Sequence, residues 1–397
     1  MSGVADKARF YLERSVPQLR EWEDKEIFNK GEIRTIVQKR NQHEIKVLSP
    51  GNQASEWSTY AKWEQSLESL KSKRCQRLKI RNVQSAHSSQ ARVLAIYQRA
   101  VNRHPASGNL WREYLAYAAS INAAKRWRRT MTSALRMMPT DPELWIMAGR
   151  RSLGNGDMAS SRTFFMRGCR FCAKDSRVWI EYARCEMEWL EKVDKRKKHQ
   201  AKHPLRPDRE EDGDQLPMDD SGSSDEDEVH SQGLAEPWQA QVDVVEKQIS
   251  EQLESNPAMD GAIVMAIFDI SRKQFFFNAE VAELFFIMFA SFRQVSVQPK
   301  ICQHVLGTMD DLYPNDACTW NCRIQEPILG IDPRTAEFPR NLREVLVRLE
   351  AGLTSTTDKT KLQDKTVAWI NGYLGLSELD EGISTALQQV KLNVTEA

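Results

Sequence analysis

The chain has 397 residues, of which 41% are hydrophobic and 28% are charged, proportions found in soluble globular proteins. No apolar run approaches the roughly 20 residues of a membrane-spanning helix, and the first residues lack the apolar core of a secretory signal. The seven cysteines, an odd number without paired spacing, fit a reducing compartment. We therefore expect a soluble protein rather than a membrane protein, a secreted protein or a disulfide scaffold.

The net charge of +1 hides a strong asymmetry along the chain. Residues 1–190 contain 34 Lys and Arg against 19 Asp and Glu, whereas the other 207 residues contain 22 against 36. The imbalance is sharpest between Lys71 and Pro139, where fifteen basic residues accompany a single acidic one, Glu113. Because such a block repels itself, it predicts an anionic partner.

Residues 1–50 are predicted to form an N-terminal helical region of two or three short helices. The apolar residues Ile33, Ile36, Val37 and Ile45 are expected near one helix face. Three large apolar residues of the same region have two interpretations, since a first repeat needs a cap but apolar residues among charges also suit the docking of a partner. These residues are Trp22, Ile27 and Phe28.

Residues 51–190 carry a pattern with a fixed period. Trp111, Trp145 and Trp179 are 34 residues apart, and a proline stands six residues before the first two of them, as one does before Trp320. A period of this length is typical of helix–turn–helix repeats that stack on one another to bury their apolar faces. We therefore predict an all-α helical-repeat solenoid.

Each repeat tryptophan opens an apolar stripe, because residues three, four and seven positions further on share its helix face. Aromatic columns of this kind are more often core than cofactor site. The repeat positions assigned to the core are Trp57, Tyr60, Glu64, Trp111, Tyr114, Trp145, Trp179, Tyr182, Glu186 and Trp320.

Two basic clusters lie inside the repeats. The first occupies an insertion between the paired helices of the first repeat, and insertions often map to the working face of a solenoid. The second begins a later helix. We predict that both contact RNA phosphates or an acidic partner, the alternative being a solvated face. The residues are Lys71, Lys73, Arg74, Arg77, Lys79, Arg81, Lys125, Arg126, Arg128 and Arg129.

The composition changes abruptly at residues 191–236, which combine a basic run with a longer acidic stretch. Low hydrophobicity and blocks of like charge predict a disordered linker, because such a segment cannot bury enough apolar surface to offset the entropy of ordering. The basic run is a candidate nuclear import signal, formed by Lys195, Arg196, Lys197 and Lys198. Residues 237–397 return to helical patterns and are predicted to be degenerate repeats with closing helices.

The sequence offers little for catalysis or for binding a cofactor. Cys169 and Cys172 have the spacing of a metal-binding pair, but a structural zinc site needs four ligands and no second pair accompanies them. Cys169 also falls in an apolar repeat column, and Cys318 and Cys322 likewise suit a core. Phosphate-binding loops and hydrolase motifs are missing. We expect a protein that is not an enzyme and has no metal or cofactor.

The repeat motif resembles a known family. Trp57-x-x-Tyr60-x-x-x-Glu64, followed by Ala91-Arg92-x-x-x-Ile96-Tyr97-x-Arg99-Ala100 and then proline, is similar to the HAT (half-a-TPR) repeat, a family associated with RNA-processing assemblies. The N-terminal region narrows the resemblance to the HAT-repeat subunits of the UtpB module of the small-subunit processome, the U-three small nucleolar RNA-associated protein six family. The segments that carry it are residues 15–19, 27–30, 32–40 and 43–44. His43 departs from the pattern, which has an aromatic residue there.

The resemblance implies a non-catalytic nucleolar scaffold that is needed for early processing of small-subunit pre-rRNA, with the U-three small nucleolar RNA and WD-repeat propeller subunits of UtpB as partners. Two alternatives remain open from the residues. One is a protein that binds RNA directly through its basic repeat face. The other is a HAT subunit of a different machine, such as splicing or 3′-end cleavage.

Overall fold

The structure, a computed structural model, describes residues 2–80, 87–202, 260–376 and 379–396. These ranges contain seventeen α-helices and no β-strand, which confirms the all-α class. The helices are α1 Ser2–Glu13, α2 Val16–Asp24, α3 Lys30–Leu48, α4 Ala54–Arg77, α5 Ser88–Arg103, α6 Gly108–Ser120, α7 Ala124–Met137, α8 Pro142–Gly154, α9 Met158–Phe171, α10 Ser176–Lys202, α11 Ala262–Ser271, α12 Ala279–Ala290, α13 Gln298–Leu312, α14 Ala317–Gln325, α15 Glu337–Ser355, α16 Lys359–Leu374 and α17 Glu381–Glu396.

The chain divides into two compact units. The first comprises Met1–Ala148 and Arg170–Cys172, and the second comprises Gly149–Cys169 and Ala173–Ala397. Within each unit, helices that follow one another in sequence pack together, α4 on α5 and α6 on α7 in the first, and α12 on α13, α14 on α15 and α16 on α17 in the second. Helix pairing of this kind is the predicted repeat arrangement. Among the described helices, none is both long and apolar enough to cross a membrane.

A stack of two rings recurs through the repeats, with the partners seventeen residues apart in each case. The ring centroids are 5.1, 5.7 and 5.4 Å apart, and the ring planes are nearly parallel. Stacked rings add a modest stabilisation to the apolar area that they bury. The pairs are His43 with Tyr60, Tyr97 with Tyr114, and Phe165 with Tyr182.

His43 therefore occupies the aromatic position of its repeat. Burial lowers the pKa of His43, and the charge of Lys46 lowers it further. Because the pKa in the folded protein lies below the value of about 6.5 in the unfolded chain, protonation favours unfolding. The stabilisation that neutral His43 provides is complete above this pH and is lost as the pH falls through the folded pKa.

We expect His43→Phe to raise the free energy of unfolding by about 1 kcal/mol at neutral pH and by more as the pH falls below about 6.5. Denaturation by urea over a series of pH values measures the difference. The reverse exchange, Phe165→His, is the matched control and should destabilise the protein more at acidic than at neutral pH. Parallel pH profiles for the wild type and His43→Phe would contradict the prediction.

The motif glutamate is buried and forms an ion pair with an arginine 24 residues earlier, and this pairing occurs twice. Arg162 donates to both carboxylate oxygens of Glu186 at 2.7 and 2.8 Å. Arg40 pairs with Glu64 in the same way, with Nε donating at 3.2 Å. Arg40 and Glu64 are 0% and 1% exposed. The spacing of the motif thus places complementary charges together inside the repeats.

Hydrogen bonds from two repeat tryptophans explain why a proline stands six residues before each of them. The indole Nε1 of Trp111 donates to the carbonyl oxygen of Pro105 at 2.9 Å, and that of Trp145 donates to the carbonyl oxygen of Pro139 at 2.7 Å. The proline ends the preceding helix, and its carbonyl satisfies the buried indole. Trp320 shares the spacing but is only half-buried, and its Nε1 has no partner among the described residues.

The buried face of α3 differs from the predicted one. Val37 and Ile45 are exposed, whereas Arg40 and Glu44 are buried together with Ile36 and Val47. The buried face predicted from apolar periodicity is wrong because that prediction assumes that charged residues face solvent. The carboxylates and guanidiniums of neighbouring helices neutralise one another there, so the charged residues can be buried.

Helix α10 extends further than the composition indicates. A linker is predicted from residue 191, but α10 continues to Lys202. Charged residues are good helix formers when solvent covers them, and Lys195 pairs with Glu191 one turn earlier at 2.8 Å, an arrangement that stabilises helices. The remainder of the predicted linker, up to residue 236, lies outside the described residues.

Candidate anionic-partner interface

The basic residues of the first unit divide into those that pair inside the fold and those that face solvent. Arg99 binds Glu44 through both guanidinium nitrogens at 2.8 and 2.9 Å, and Arg112 pairs with Asp141 at 2.9 Å. Arginines of this kind already pair with carboxylates of the fold.

Two of the predicted contact residues at the end of α4, Lys71 and Arg74, point into the fold and not to solvent. Lys71 is buried, and burial lowers its pKa. Arg74 donates to both carboxylate oxygens of Glu32 at 2.7 and 2.8 Å and to the carbonyl oxygen of Ile27 at 3.0 Å. Its guanidinium also lies 4.6 Å from the ring centroid of Phe28. Arg74 therefore holds α4 against the N-terminal region, and we do not count it among the partner contacts.

The Glu32–Arg74 pair predicts a pH effect on stability. Hydrogen bonds from Arg74 lower the pKa of Glu32 to about 2, below the value of about 4.3 in an unfolded chain. The stabilisation is thus complete above about pH 4.3 and is lost as the pH falls towards 2. We expect Glu32→Gln to destabilise the protein at pH 6 and the difference from wild type to shrink between about pH 5 and pH 2.

Thermal unfolding at several pH values measures this difference. The control is Glu13→Gln, since Glu13 and Arg9 form a solvent-exposed pair of a kind that contributes little. A constant gap between wild type and Glu32→Gln across the acidic range would contradict the prediction.

The other described members of the first cluster, Lys73, Arg77 and Lys79, are exposed and make no ion pair with a described residue. Lys79 has a positive φ of 56°, in the left-handed region that commonly follows the end of a helix. Arg81 lies outside the described residues. The predicted insertion is thus mainly an extension of α4, which carries these cations on its last turns.

The second cluster lies entirely on the solvent side of α7. Trp127, Thr130, Met131 and Ala134 form the buried face of this helix, and the cations occupy the remainder of its circumference. Six exposed basic residues of α5 and α7 form no ion pair within the described ranges. They are Arg103, Lys125, Arg126, Arg128, Arg129 and Arg136. Glu113, the acidic residue of this region, is already bonded to Ser58 and Lys62.

A polar cavity of about 390 Å³ adjoins this surface. Two guanidiniums of α7, two carboxamides of α5 and two hydroxyls line it together with one indole. Apart from Trp111, which belongs to the repeat pattern, the neutral members follow no repeat column, so no signal in the sequence indicates them. The lining residues are Gln98, Asn102, Trp111, Arg126, Arg129, Thr130 and Ser133.

The structure assigns Trp22, Ile27 and Phe28 to a core. They are 0–2% exposed and pack with Leu19 and Ile36. Of the two interpretations of these residues, the cap of the first repeat fits their burial, whereas a docking surface does not.

The candidate import signal lies on a helix. Lys195, Arg196, Lys197 and Lys198 occupy the last turns of α10 and are exposed. Lys198 donates to the carbonyl oxygen of Gln294 at 3.2 Å. The run is accessible, and its role in import stays a prediction.

The cysteines of the chain are buried thiols for the most part. Cys169, Cys172, Cys318 and Cys322 are each less than a tenth exposed, and burial raises the pKa of Cys318 to about 12. Thiols held in their protonated form are poor nucleophiles and poor metal ligands. In the described ranges no group of three or more His, Cys, Asp or Glu side chains is placed to hold a metal ion.

Comparison with known proteins connects part of the chain to one family. Residues 12–99 match the model of the family described as U3 small nucleolar RNA-associated protein 6. These residues include the buried pairs of α3, α4 and α5 described above.

Curated relatives carry the same description. The U3 small nucleolar RNA-associated protein 6 of Schizosaccharomyces pombe is 30% identical over 193 residues, which are 48% of this chain and 40% of the relative. The homologues from Homo sapiens and Dictyostelium discoideum are 26% and 23% identical over 47% of this chain, or 32% and 30% of their own length. The chain thus matches less than half the length of these relatives. The resemblance inferred from the sequence is confirmed over that span.

Proposed function

We propose that the chain, which resembles the U3 small nucleolar RNA-associated protein 6 family over part of its length, is a non-catalytic scaffold subunit of the nucleolar small-subunit processome. In this role it would support early pre-rRNA processing and small ribosomal subunit biogenesis together with the U-three small nucleolar ribonucleoprotein. Its protein partners would be the WD-repeat propellers of the UtpB module.

The family match is the observation that carries this proposal, since it covers the N-terminal region and the first repeat. The fold agrees with a binding role, because stacked helix pairs present extended surfaces to partners. The charged residues of the repeat motif, such as Glu64 and Glu186, are buried in ion pairs. They therefore stabilise the repeats and are not offered as catalytic groups.

Direct RNA binding is the second candidate. It is favoured by the six unpaired cations of α5 and α7, which create a positive surface that attracts a polyanion. A scaffold of a ribonucleoprotein could combine both functions. A HAT subunit of a splicing or 3′-end cleavage machine is the third candidate, and only the identity of the partners separates it from the first.

A pull-down of the tagged full chain from nuclear extract, washed at moderate and then at high salt, tests the proposal. We expect U-three RNA and WD-repeat proteins to be retained at high salt, because protein contacts centred on apolar anchors depend weakly on ionic strength. Recovery of splicing or cleavage factors in their place would overturn the assignment. RNA without protein partners, lost at high salt, would favour the RNA-binding candidate over the scaffold.

A further inference from the structure

We propose that the polar cavity between α5 and α7 is a binding site for backbone phosphate of single-stranded RNA. The site deepens the proposed function and rests on it for the presence of RNA near the protein. It assigns RNA binding to a defined place on the positively charged repeats, and it includes five neutral residues that charge alone does not indicate.

The lining of the cavity has the chemistry that binds an anion. Arg126 and Arg129 are three positions apart on α7, so they share a helix face, and both border the cavity. An arginine presents a planar fork of N–H donors that matches phosphate oxygens. Carboxylates are absent from the lining, so nothing in the cavity repels or neutralises an anion.

The carboxamides of the lining present donors to the cavity. Gln98 donates from its amide nitrogen to the Oδ1 of Asn102 at 3.1 Å, and its Oε1 accepts from the hydroxyl of Tyr114 at 3.2 Å. Each of these oxygens thereby accepts one hydrogen bond, and the amide nitrogen of Asn102 has no partner among the described residues. The Asn102 amide can therefore donate an N–H to a phosphate oxygen.

One hydroxyl of the lining has no hydrogen-bond partner among the described residues. Thr130 is 4% exposed as a residue, and it lines the cavity. A phosphate oxygen in the cavity would accept a hydrogen bond from this hydroxyl.

The cavity has no exposed apolar or aromatic anchor among its described lining residues, and this favours phosphate over an acidic peptide as its ligand. Protein interfaces concentrate their binding energy in apolar and aromatic anchors, whereas Trp111, the single aromatic residue of the lining, is buried and its N–H is bonded to Pro105. With no exposed ring in the cavity on which a base could stack, contact is confined to the backbone. Binding is therefore expected without sequence preference.

The test uses the purified full chain and a fluorescent oligouridylate, with affinity measured across a salt series. Arg126→Gln combined with Arg129→Gln should weaken binding by at least about 10-fold and flatten the salt dependence by about 0.7 in slope for each phosphate that is no longer bound. Arg128→Gln combined with Arg136→Gln is the matched control, because it removes the same two charges from the same helix outside the cavity. It should change the affinity by less than about threefold.

The variant Thr130→Val tests whether RNA binds in the cavity or is attracted only by the overall positive charge. This variant keeps the shape and the charge of the protein, so we expect its stability to be preserved and its RNA affinity to fall by about fivefold. Unchanged binding by Thr130→Val and by the double arginine variant would overturn the proposal. An equal loss for the control variant Arg128→Gln with Arg136→Gln, or displacement of RNA by polyglutamate at equal charge concentration, would also overturn it, in favour of diffuse attraction or an acidic protein.

The affinity of the purified chain for oligouridylate is measured without any other component of the small-subunit processome. A negative result with purified RNA would remove the phosphate site and leave the pull-down of U-three RNA and WD-repeat proteins unaffected. Conversely, a chain that binds oligouridylate through the cavity but recovers no processome component would keep the site and refute the scaffold.

Discussion

Glu64→Gln is expected to lower the free energy of unfolding by about 3–5 kcal/mol, the cost of leaving a buried charge without its partner. Glu64 is buried between two guanidiniums, since Arg40 bonds it directly and Nε of Arg92 lies 3.8 Å from its carboxylate. Burial, followed by the charge of Arg40, lowers the pKa of Arg92. Neutral glutamine would keep the shape of the side chain but leave two mutually repelling cations in the first repeat.

Urea denaturation of the full chain, followed by circular dichroism and tryptophan fluorescence, measures this effect. Glu13→Gln again serves as the control, because its ion pair with Arg9 is exposed and should be worth less than about 1 kcal/mol. In the double variant Arg40→Met and Glu64→Leu we expect much of the stability to return, since apolar residues of similar volume can replace a buried pair. A loss below about 1 kcal/mol for Glu64→Gln would contradict the assignment of this pair to the core.

Phe165→Ala is expected to cost about 3–5 kcal/mol in the second unit, as for other buried aromatic residues. The ring of Phe165 is 0% exposed and stacks on Tyr182 at 5.4 Å. It also fills the space beside Gly149, where an added Cβ would clash with the ring. The glycine thus makes room for the ring, and the two residues should behave as a coupled pair.

The coupling predicts that the effect of Gly149→Ala on the free energy of unfolding changes sign when Phe165 is replaced by alanine. With Phe165 present, Gly149→Ala should destabilise the protein by about 1–3 kcal/mol through overpacking. In the Phe165→Ala background the same substitution should stabilise it by up to about 1 kcal/mol, because alanine is the better helix former and the clash is gone. A double-mutant cycle of urea denaturation curves measures the difference. Additive effects of the two substitutions would contradict the close packing.

The repeat architecture could be predicted well because the signals for it are local. The spacing of Trp111, Trp145 and Trp179 requires one helical unit to recur, and proline fixes where each unit ends. Family resemblance rests on the same residues, so the match to residues 12–99 and the helical fold agree with the motif.

Which charged residues are buried could not be predicted from the sequence. Periodicity assigns Val37 and Ile45 to the core of α3, but Arg40 and Glu44 are buried there instead. Whether a charge can be buried depends on a partner that lies far away in the chain, such as Glu64 for Arg40 and Arg99 for Glu44. The same principle removes Lys71 and Arg74 from the candidate contacts, because their surroundings are set by packing against other helices.

Helical repeats, a basic first half and a family resemblance can be read from the chain alone, because composition and period are properties of the chain itself. Which basic residues remain available for a partner is a matter of packing. Arg99 and Arg112 are satisfied by carboxylates of other helices, whereas Arg126 and Arg129 border a cavity with neutral donors and an unpartnered Thr130. A binding site depends on which groups meet in space without already satisfying one another, and the arrangement of the helices fixes that.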